Sequence, residues 1–459
     1  MLIISILLIS TFVVFLNETL LGVALPVIMQ ELNITASVAQ WLNTAFMLTM
    51  AIVIPTTGYL QQRFSTRALY MAAMSAFVIG TLLGALSPSF GFLLIGRLIQ
   101  AAGSAIMFPL LMTTIMDLVP EQSRGRIMGN IGIVMSVAPA LGPAVSGLIL
   151  NSLDWRWLFW IMLPIGLVTG IIGSIRLKAS HTPNKASLDV FSVVLSALAF
   201  GGLVYGLSSF GEAARGNVAV SPWVPFGAGV VFMVIFVLRQ LRVAKGGHAL
   251  LNLSTFRAYN FTVGLSLMLI AMLVMFGFSI LLPIYIQDGL GLDALAAGLI
   301  LLPGGLAMGL LSPVIGGLSD KFGARKLLIP ASIFVGGVLA WMTTFNGETT
   351  FWTLLSANVL FMVGIGFFFT PLFATVMGAV APELYPHASA TVGSLQQVAG
   401  AAGTAIFITV FTIAGAGSAS SAAVVSGTQQ AFLLGAFIWI GTFVLALMLK
   451  QAPKAEASN

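Results

Sequence analysis

The sequence predicts an all-α polytopic membrane protein with fourteen spans. Three observations carry this reading. The chain is 59% hydrophobic and only 7% charged. Its apolar runs are long enough to cross a bilayer as helices, about 20 residues each. Its Lys and Arg residues gather in alternate connections. A soluble chain of 459 residues would carry about 25% charged residues, and water cannot solvate a surface of mean hydropathy +1.07. In lipid, only helices and closed barrels satisfy their own backbone groups. Barrel strands alternate apolar and polar residues over about 10 residues. The runs here are far longer, so helices are expected.

In chain order the spans are expected at 2–29, 39–61, 67–88, 90–118, 124–150, 156–176, 189–208, 222–243, 259–287, 294–317, 326–345, 350–380, 388–414 and 428–449. Met1 runs straight into LIISILLISTFVVF with no basic segment and no small-residue cleavage site, so this stretch reads as the first span and not as a cleaved signal. Short connections imply antiparallel neighbours, and none is long enough for a soluble domain. Orientation follows from charge. Arg63, Arg67, Arg124, Arg126, Arg176, Lys178, Lys185, Arg239, Arg242, Lys245, Arg257, Lys321, Arg325, Lys326, Lys450 and Lys454 fall on one side. Arg156 and Arg215 fall on the other, and Arg97 lies within a span. The rich side is therefore expected to be cytoplasmic, with both termini there. The expected setting is a bacterial plasma membrane, with the chain a multi-pass monomer.

The net charge of +6 fits cytoplasmic loops and gives no reason to expect nucleic acid. The chain has no cysteine, which excludes a disulfide framework and thiolate metal sites. His181, His248 and His387 are scattered through polar connections without metal-ligand spacing. No metal and no cofactor are expected.

An internal repeat divides the chain. Pro109-Leu110, nine residues, then Pro120-Glu121 recurs as Pro371-Leu372, nine residues, then Pro382-Glu383, at an offset of 262. Gly58-Tyr-Leu-Gln-Gln-Arg-Phe-Ser-Thr-Arg67 recurs as Gly316-Gly-Leu-Ser-Asp-Lys-Phe-Gly-Ala-Arg325, at an offset of 258. Both pairs shift the chain by eight spans. Two six-helix halves (1–176 and 259–459) with two additional helices between them (177–258) give that shift. Duplicated halves around a central site are a common transporter plan. The two central spans carry no buried charge and are expected to be peripheral.

With these patches in hand, the chain resembles the major facilitator superfamily, specifically its fourteen-helix drug:proton antiporters. Gly316-Gly-Leu-Ser-Asp-Lys-Phe-Gly-Ala-Arg-Lys326 matches that superfamily's cytoplasmic-loop signature in full. The resemblance implies a cytoplasmic gating loop built on Gly316, Asp320, Gly323 and Arg325, with Asp320 accepting hydrogen bonds at a helix end or pairing with Arg325. The copy at 58–67 departs from it: Gln62 stands where the family has Asp, and Ser65 where it has Gly.

Leu16-Asn-Glu-Thr-Leu-Leu-Gly-Val-Ala-Leu-Pro26 resembles the family's first-helix signature. The family's Asp is replaced by Asn17, and the acid is moved one place to Glu18, about 100° round the helix. Glu18 is the only acidic residue deep in an expected span, and a membrane carboxylate is functional by default. Arg97, in Gly96-Arg-Leu-Ile-Gln-Ala-Ala-Gly103, is the only basic one, so it needs a cavity or counter-charge. Glu18 is its expected partner, directly or through water, and the resemblance implies that this arginine tunes a proton site. Small residues let helices approach and proline bends them. The pattern Gly129, Ala138, Gly142, Pro143, Ser146, Gly147 resembles the antiporter signature. Asp154-Trp-Arg-Trp-Leu-Phe159 followed by Pro164-Ile-Gly166 resembles the entry to the sixth span.

Candidate substrate contacts are Asn17, Trp41, Asn43, Gln100, Asn130, Asn358, Phe361, Phe367, Phe368 and Gln396, polar or aromatic residues on spans that line the central cavity in this superfamily. The tenth span, expected at 294–317, holds no second membrane carboxylate. The resemblance therefore implies proton-coupled export of neutral or monocationic lipophilic compounds, multidrug efflux by alternating access. Its partners would be a small lipophilic substrate, protons and the bilayer. A specific metabolite or lipid transporter of the same fold is the alternative. A membrane enzyme or sensor is a remote one. There is no HExxH, GxSxG or GxxxxGK[ST], motifs that would signal enzymatic chemistry.

Overall fold

The computed structural model describes residues 2–177, 189–213, 220–244, 249–415 and 420–450. His181, His248, Lys178, Lys185, Arg215, Lys245, Lys454 and the two chain ends lie outside them. Among the described residues fourteen helices are long and apolar enough to span a membrane, and there is no strand. They are α1 (Leu2–Glu31), α2 (Val38–Arg63), α3 (Thr66–Ala85), α4 (Phe90–Leu118), α5 (Arg124–Leu150), α6 (Trp157–Arg176) and α7 (Val190–Ala213), then α8 (Trp223–Val243), α9 (Tyr259–Ile284), α10 (Ala294–Phe322), α11 (Ala324–Met342), α12 (Phe351–Gly378), α13 (Tyr385–Ala414) and α14 (Ser421–Met448).

Their ends follow local chemistry. Ser65, Asp293, Thr350 and Ser420 each cap a helix by accepting a hydrogen bond from a backbone N–H in its first turn, which satisfies one otherwise orphaned donor. Helix α2 tightens into a 3-10 turn at Ile54–Thr56 around Pro55, as proline demands within a helix. Helix α10 continues past the expected 317 to Phe322 and stops at Gly323, whose φ of 84° suits glycine. Asp320 therefore sits in the last turn of α10 and not in a free loop. Helix α14 begins at Ser421 instead of 428, under the Ser420 cap. His387, expected in a polar connection, lies buried in the first turn of α13.

The helix contacts repeat at a shift of eight. Helix α1 packs on α5 and α6, as α9 does on α13 and α14; α3 packs on α4 and α6, as α11 does on α12 and α14; α2 packs on α4, as α10 does on α12. Two seams join the first six helices to the last six: α5 against α10, and α2 against α13. The two additional helices are not equivalent. Helix α7 packs on both α2 and α13, across the second seam, while α8 leans chiefly on α7. The expectation that both are peripheral fails for α7. Its small and hydroxyl-bearing face, with Ser192, Ser196 and Ala199 fully buried, lets it sit close against its neighbours.

Hydrogen bonds mark two ends of the bundle. At the basic end they join Gln62 to His387, Asp320 to Gly125 and Arg126, and Asn260 to Lys450. At the opposite end Glu31 accepts from Trp155 Nε1 at 2.8 Å and from Arg156 at 2.6 Å, and Arg156 also reaches the Ser87 carbonyl. The Asp-Trp-Arg-Trp patch thus clamps the ends of α1, α3 and α6. The outer faces of α6, α8 and α14 show large apolar side chains such as Ile175, Val234 and Phe437, as lipid contact requires.

Candidate functional site

The polar centre of the first six helices is built on α1 and α4. Arg97 is fully buried. Its Nη1 donates to Gln100 Oε1 at 2.7 Å and to Asn17 Oδ1 at 3.4 Å, and its guanidinium lies 4.1 Å from the centre of the Phe46 ring. Gln100 Nε2 donates in turn to Thr81 Oγ1 at 2.8 Å, and Thr81 to the Phe77 carbonyl. This chain is possible because α3 and α4 nearly touch. A Cβ on Gly80 would fall 2.6 Å from the Gln100 nitrogen. The Nε–H of Arg97 has no protein partner. Glu18 lies within electrostatic reach of Arg97 but is partly exposed, and the arginine spends its hydrogen bonds on Asn17 and Gln100. Of the two expected contacts, direct or through water, no direct ion pair is formed. The reason is the one-place displacement of the acid, which leaves the amide of Asn17 facing the guanidinium.

The small-residue pattern of α5 serves two partners. Gly129 lies against the Ser312 and Pro313 backbone of α10, with 2.7 Å left between its missing Cβ and the Pro313 Cα. Further along, Gly142 lies against the Thr19 side chain on α1, one residue from Glu18. Ala138 and Ser146 are buried, Pro143 and Gly147 exposed. The pattern therefore sets the distance of α5 from both the facing half and the acid-bearing helix.

At the basic end, Asp320 Oδ1 accepts from the Gly125 N–H at 2.8 Å and Oδ2 from the Arg126 N–H at 2.9 Å. These are first-turn donors of α5 with no partner inside their own helix, and a carboxylate also complements the positive helix start. Gly316 makes room by lying on the Gly125 backbone, and Gly323 turns the chain. Of the two partners open to Asp320, the helix end is the one it takes; Arg325 makes no ion pair with it.

The nominated substrate contacts separate. Asn17 and Gln100 belong to the Arg97 cluster. Asn43, Asn130 and Phe367 are partly exposed. Gln396 is buried with an unpartnered Nε2. The others face neighbouring helices. Trp41 stacks on Tyr205 of α7 at 5.9 Å; Phe361 packs on Phe278 of α9 at 4.1 Å; Phe368 meets Trp439 of α14 at 4.7 Å. Asn358 Nδ2 donates to the Ile300 carbonyl on α10. An aromatic run that sequence reasoning passed over crosses the middle instead: Phe15 on Phe108 at 6.1 Å, and Phe108 on Phe373 at 5.9 Å. It links α1, α4 and α12. The signal was available, because Phe108 immediately precedes the repeated Pro109-Leu110 pair and Phe373 immediately follows its copy, Pro371-Leu372.

A family model described as Major Facilitator Superfamily matches residues 7–406. The lincomycin resistance protein LmrB of Listeria monocytogenes is 38% identical over 455 residues, 97% of this chain and 96% of its own. LmrB of Bacillus subtilis is 36% identical, covering 97% and 95%. The riboflavin transporter RibZ of Clostridioides difficile is 25% identical, covering 97% of each chain. The crystal structure of the human organic anion transporter MFSD10 superposes with a TM-score of 0.65 at 17% identity, over 97% of this chain and 98% of that one, a likeness of fold.

Proposed function

Because this chain belongs to the major facilitator superfamily, and so is a membrane transporter and not an enzyme, we propose that it exports lipophilic neutral or monocationic compounds in exchange for protons. The observation that carries this reading is the Glu18–Arg97 arrangement. A carboxyl group sits deep in α1, beside a buried arginine that it does not touch. An ionised carboxylate in a low-dielectric setting is costly, and a proton relieves that cost. The unpartnered Arg97 Nε–H offers the ionised form a place to go. Glu18 thus has two stations, protonated and apart or ionised and drawn toward Arg97. Each can favour a different arrangement of the halves.

The basic end is read as cytoplasmic. With it closed by the Asp320 contact, a proton enters from the opposite side, binds Glu18 and promotes release of substrate. After the halves rock, the proton leaves and a new substrate enters. Linkage requires each ligand to weaken the other's binding. Lincomycin, a monobasic amine and the compound named for relatives at 36–38% identity, is the first substrate to try. Riboflavin, named for a more distant relative, represents the specific-metabolite alternative. The domain division at 1–176, 177–258 and 259–459 is proposed with the mechanism.

The test uses proteoliposomes with an internal pH dye. Lincomycin, riboflavin and a panel of lipophilic monocations are added to wild type and to Glu18→Gln. Substrate-triggered proton release in wild type that disappears in the variant is expected. Uphill, proton-driven export by Glu18→Gln would sink the assignment.

A further inference from the structure

We infer that the additional helices α7 and α8 brace the α2/α13 seam at the basic end, holding its closed form in place through His387. The inference goes beyond the transport reading, since it needs only that this end opens and closes, whatever solute is carried.

The internal repeat relates the two seams. Its offset of 258 maps Gly58 onto Gly316 and Gln62 onto Asp320, and its offset of 262 maps Gly125 onto His387. On the α5/α10 seam, Gly316 rests on Gly125 and Asp320 holds the helix start. On the α2/α13 seam the corresponding positions meet again. A Cβ on Gly58 would lie 3.2 Å from the Pro386 carbonyl oxygen and 3.3 Å from His387 Nδ1. Gln62 Nε2 lies 2.7 Å from His387 Nε2. The geometry of the seam is repeated, and the chemistry is changed from carboxylate on backbone to amide on imidazole.

The imidazole's other nitrogen leads to the additional helices. An amide nitrogen can only donate, so Nε2 of His387 accepts from Gln62. Nδ1 then carries the hydrogen and donates to the Leu250 carbonyl at 3.3 Å. Leu250 belongs to the connection between α8 and α9. That connection is fixed from α8: Gln240 Oε1 accepts from the Leu250 N–H at 2.8 Å and the Leu251 N–H at 3.2 Å. Gln240 Nε2 donates to Ser192 Oγ on α7 at 2.8 Å. Ser192 donates to Asp189, which Arg239 of α8 grips at 2.7 and 2.9 Å. Gln240, Ser192 and His387 are all buried. A fully satisfied buried network of this kind fixes its members in one arrangement.

Helix α7 meanwhile packs on α2 and α13 together. Helices that only faced lipid would have no use for a buried glutamine that fixes the connection carrying Leu250. The network reads as a brace. It positions Leu250, Leu250 positions His387, and His387 receives Gln62 when the seam shuts.

The chain has no cysteine, so Thr114→Cys supplies the sole thiol. Thr114 is buried, and lines the crevice between α2, α4 and the start of α13 together with Gln61, Gln62, Asp117 and Glu383. The full-length protein is labelled in detergent with a water-soluble maleimide, without substrate. Loss of one neutral hydrogen bond shifts an equilibrium by about 5-fold. Gln62→Ala, His387→Ala and Gln240→Ala should each raise the labelling rate by about that factor. Members of one network do not add, so Gln62→Ala with Gln240→Ala should label no faster than the faster single variant. The inference is overturned by a wild-type rate in Gln240→Ala or by a double variant showing the product of the two single effects. Where Gln240→Ala does not fold, Ser192→Ala releases Gln240 with its side chain in place and is read by the same outcomes.

Discussion

Asp320→Ala offers the sharpest test of the closure on the α5/α10 seam. The Gly125 and Arg126 N–H groups sit in the first turn of α5 and have no acceptor within their own helix. Their protection from solvent exchange therefore comes from Asp320 alone, at 2.8 and 2.9 Å. A hydrogen bond to a charged group contributes about 1.5–3 kcal/mol when well shielded. Asp320 is exposed, so solvent screening reduces each to about 1 kcal/mol. Together they amount to about 2 kcal/mol, or about 30-fold in the closed–open equilibrium. Hydrogen–deuterium exchange followed on peptides spanning 121–132 should show these amides exchanging about 30-fold faster in Asp320→Ala, with the helix beyond 132 little changed. Asp320→Asn keeps one carbonyl oxygen and should lose about half of the free energy. Unchanged exchange at the start of α5 would refute the reasoning. So would an equal acceleration across all helices, because that would report general loosening and not the release of one seam.

Arg97→Lys should lower thermal stability by about 2 kcal/mol, because an ammonium cannot hold Gln100 and lie flat on Phe46 at once; scanning calorimetry in detergent checks this. Asn17→Asp combined with Glu18→Gln restores an acid at the position facing Arg97. It should not restore substrate-triggered proton release in the pH-dye assay, because that acid would be held in a direct ion pair. The Arg239 guanidinium holds the Asp189 carboxyl down to about 2, from 3.8, with Ser192 assisting against partial desolvation. A depressed carboxyl adds stability that is present above the unfolded value and lost as pH falls through the folded one. The difference in melting temperature between wild type and Asp189→Asn should therefore be flat from about pH 5 to 8 and shrink only below about pH 4; a difference that varied between pH 6 and 8 would contradict it.

The fold was legible in the sequence because lipid leaves few solutions. Apolar length alone located fourteen helices, and the repeat gave the pairing of α2 with α10 and of α4 with α12. Ends were less legible where helix formers ran on past the apolar stretch. Asp320 reads as loop because it is charged, yet Gly323 is what stops α10. The Ser-Ala-Ala start of α14 reads as polar linker, yet Ser420 caps it. Among site residues, Glu18 and Arg97 stood out because charge is rare in spans, and Asn17 and Gln100 are bonded to that arginine. Phe361, Phe368 and Asn358 did not separate from core residues, because an aromatic facing a cavity and one facing a neighbouring helix look alike in sequence. His387 was passed over for a similar reason. A lone histidine beside prolines reads as a connection, and its partners lie 325 and 137 residues away.

The displacement of the acid from 17 to 18 is the feature on which the proposed coupling turns. An aspartate at 17 would stand where Asn17 Oδ1 now meets the guanidinium at 3.4 Å. Such a pair, desolvated and in contact, would resist protonation, since breaking a buried pair strands a charge. With asparagine there, the arginine is still oriented, by a neutral acceptor that does not titrate. The carboxyl, about 100° round α1, feels the arginine's field without being locked to it. Beside it, Thr19 lies against Gly142 of α5, the helix whose first turn Asp320 holds at the basic end. In the proposed mechanism a shift of α1 as Glu18 gains or loses its proton would be felt by α5, because a glycine contact leaves no slack. In the proposed coupling, the route from Glu18 to the Asp320 contact runs along one helix, and its two ends are both marked by glycine.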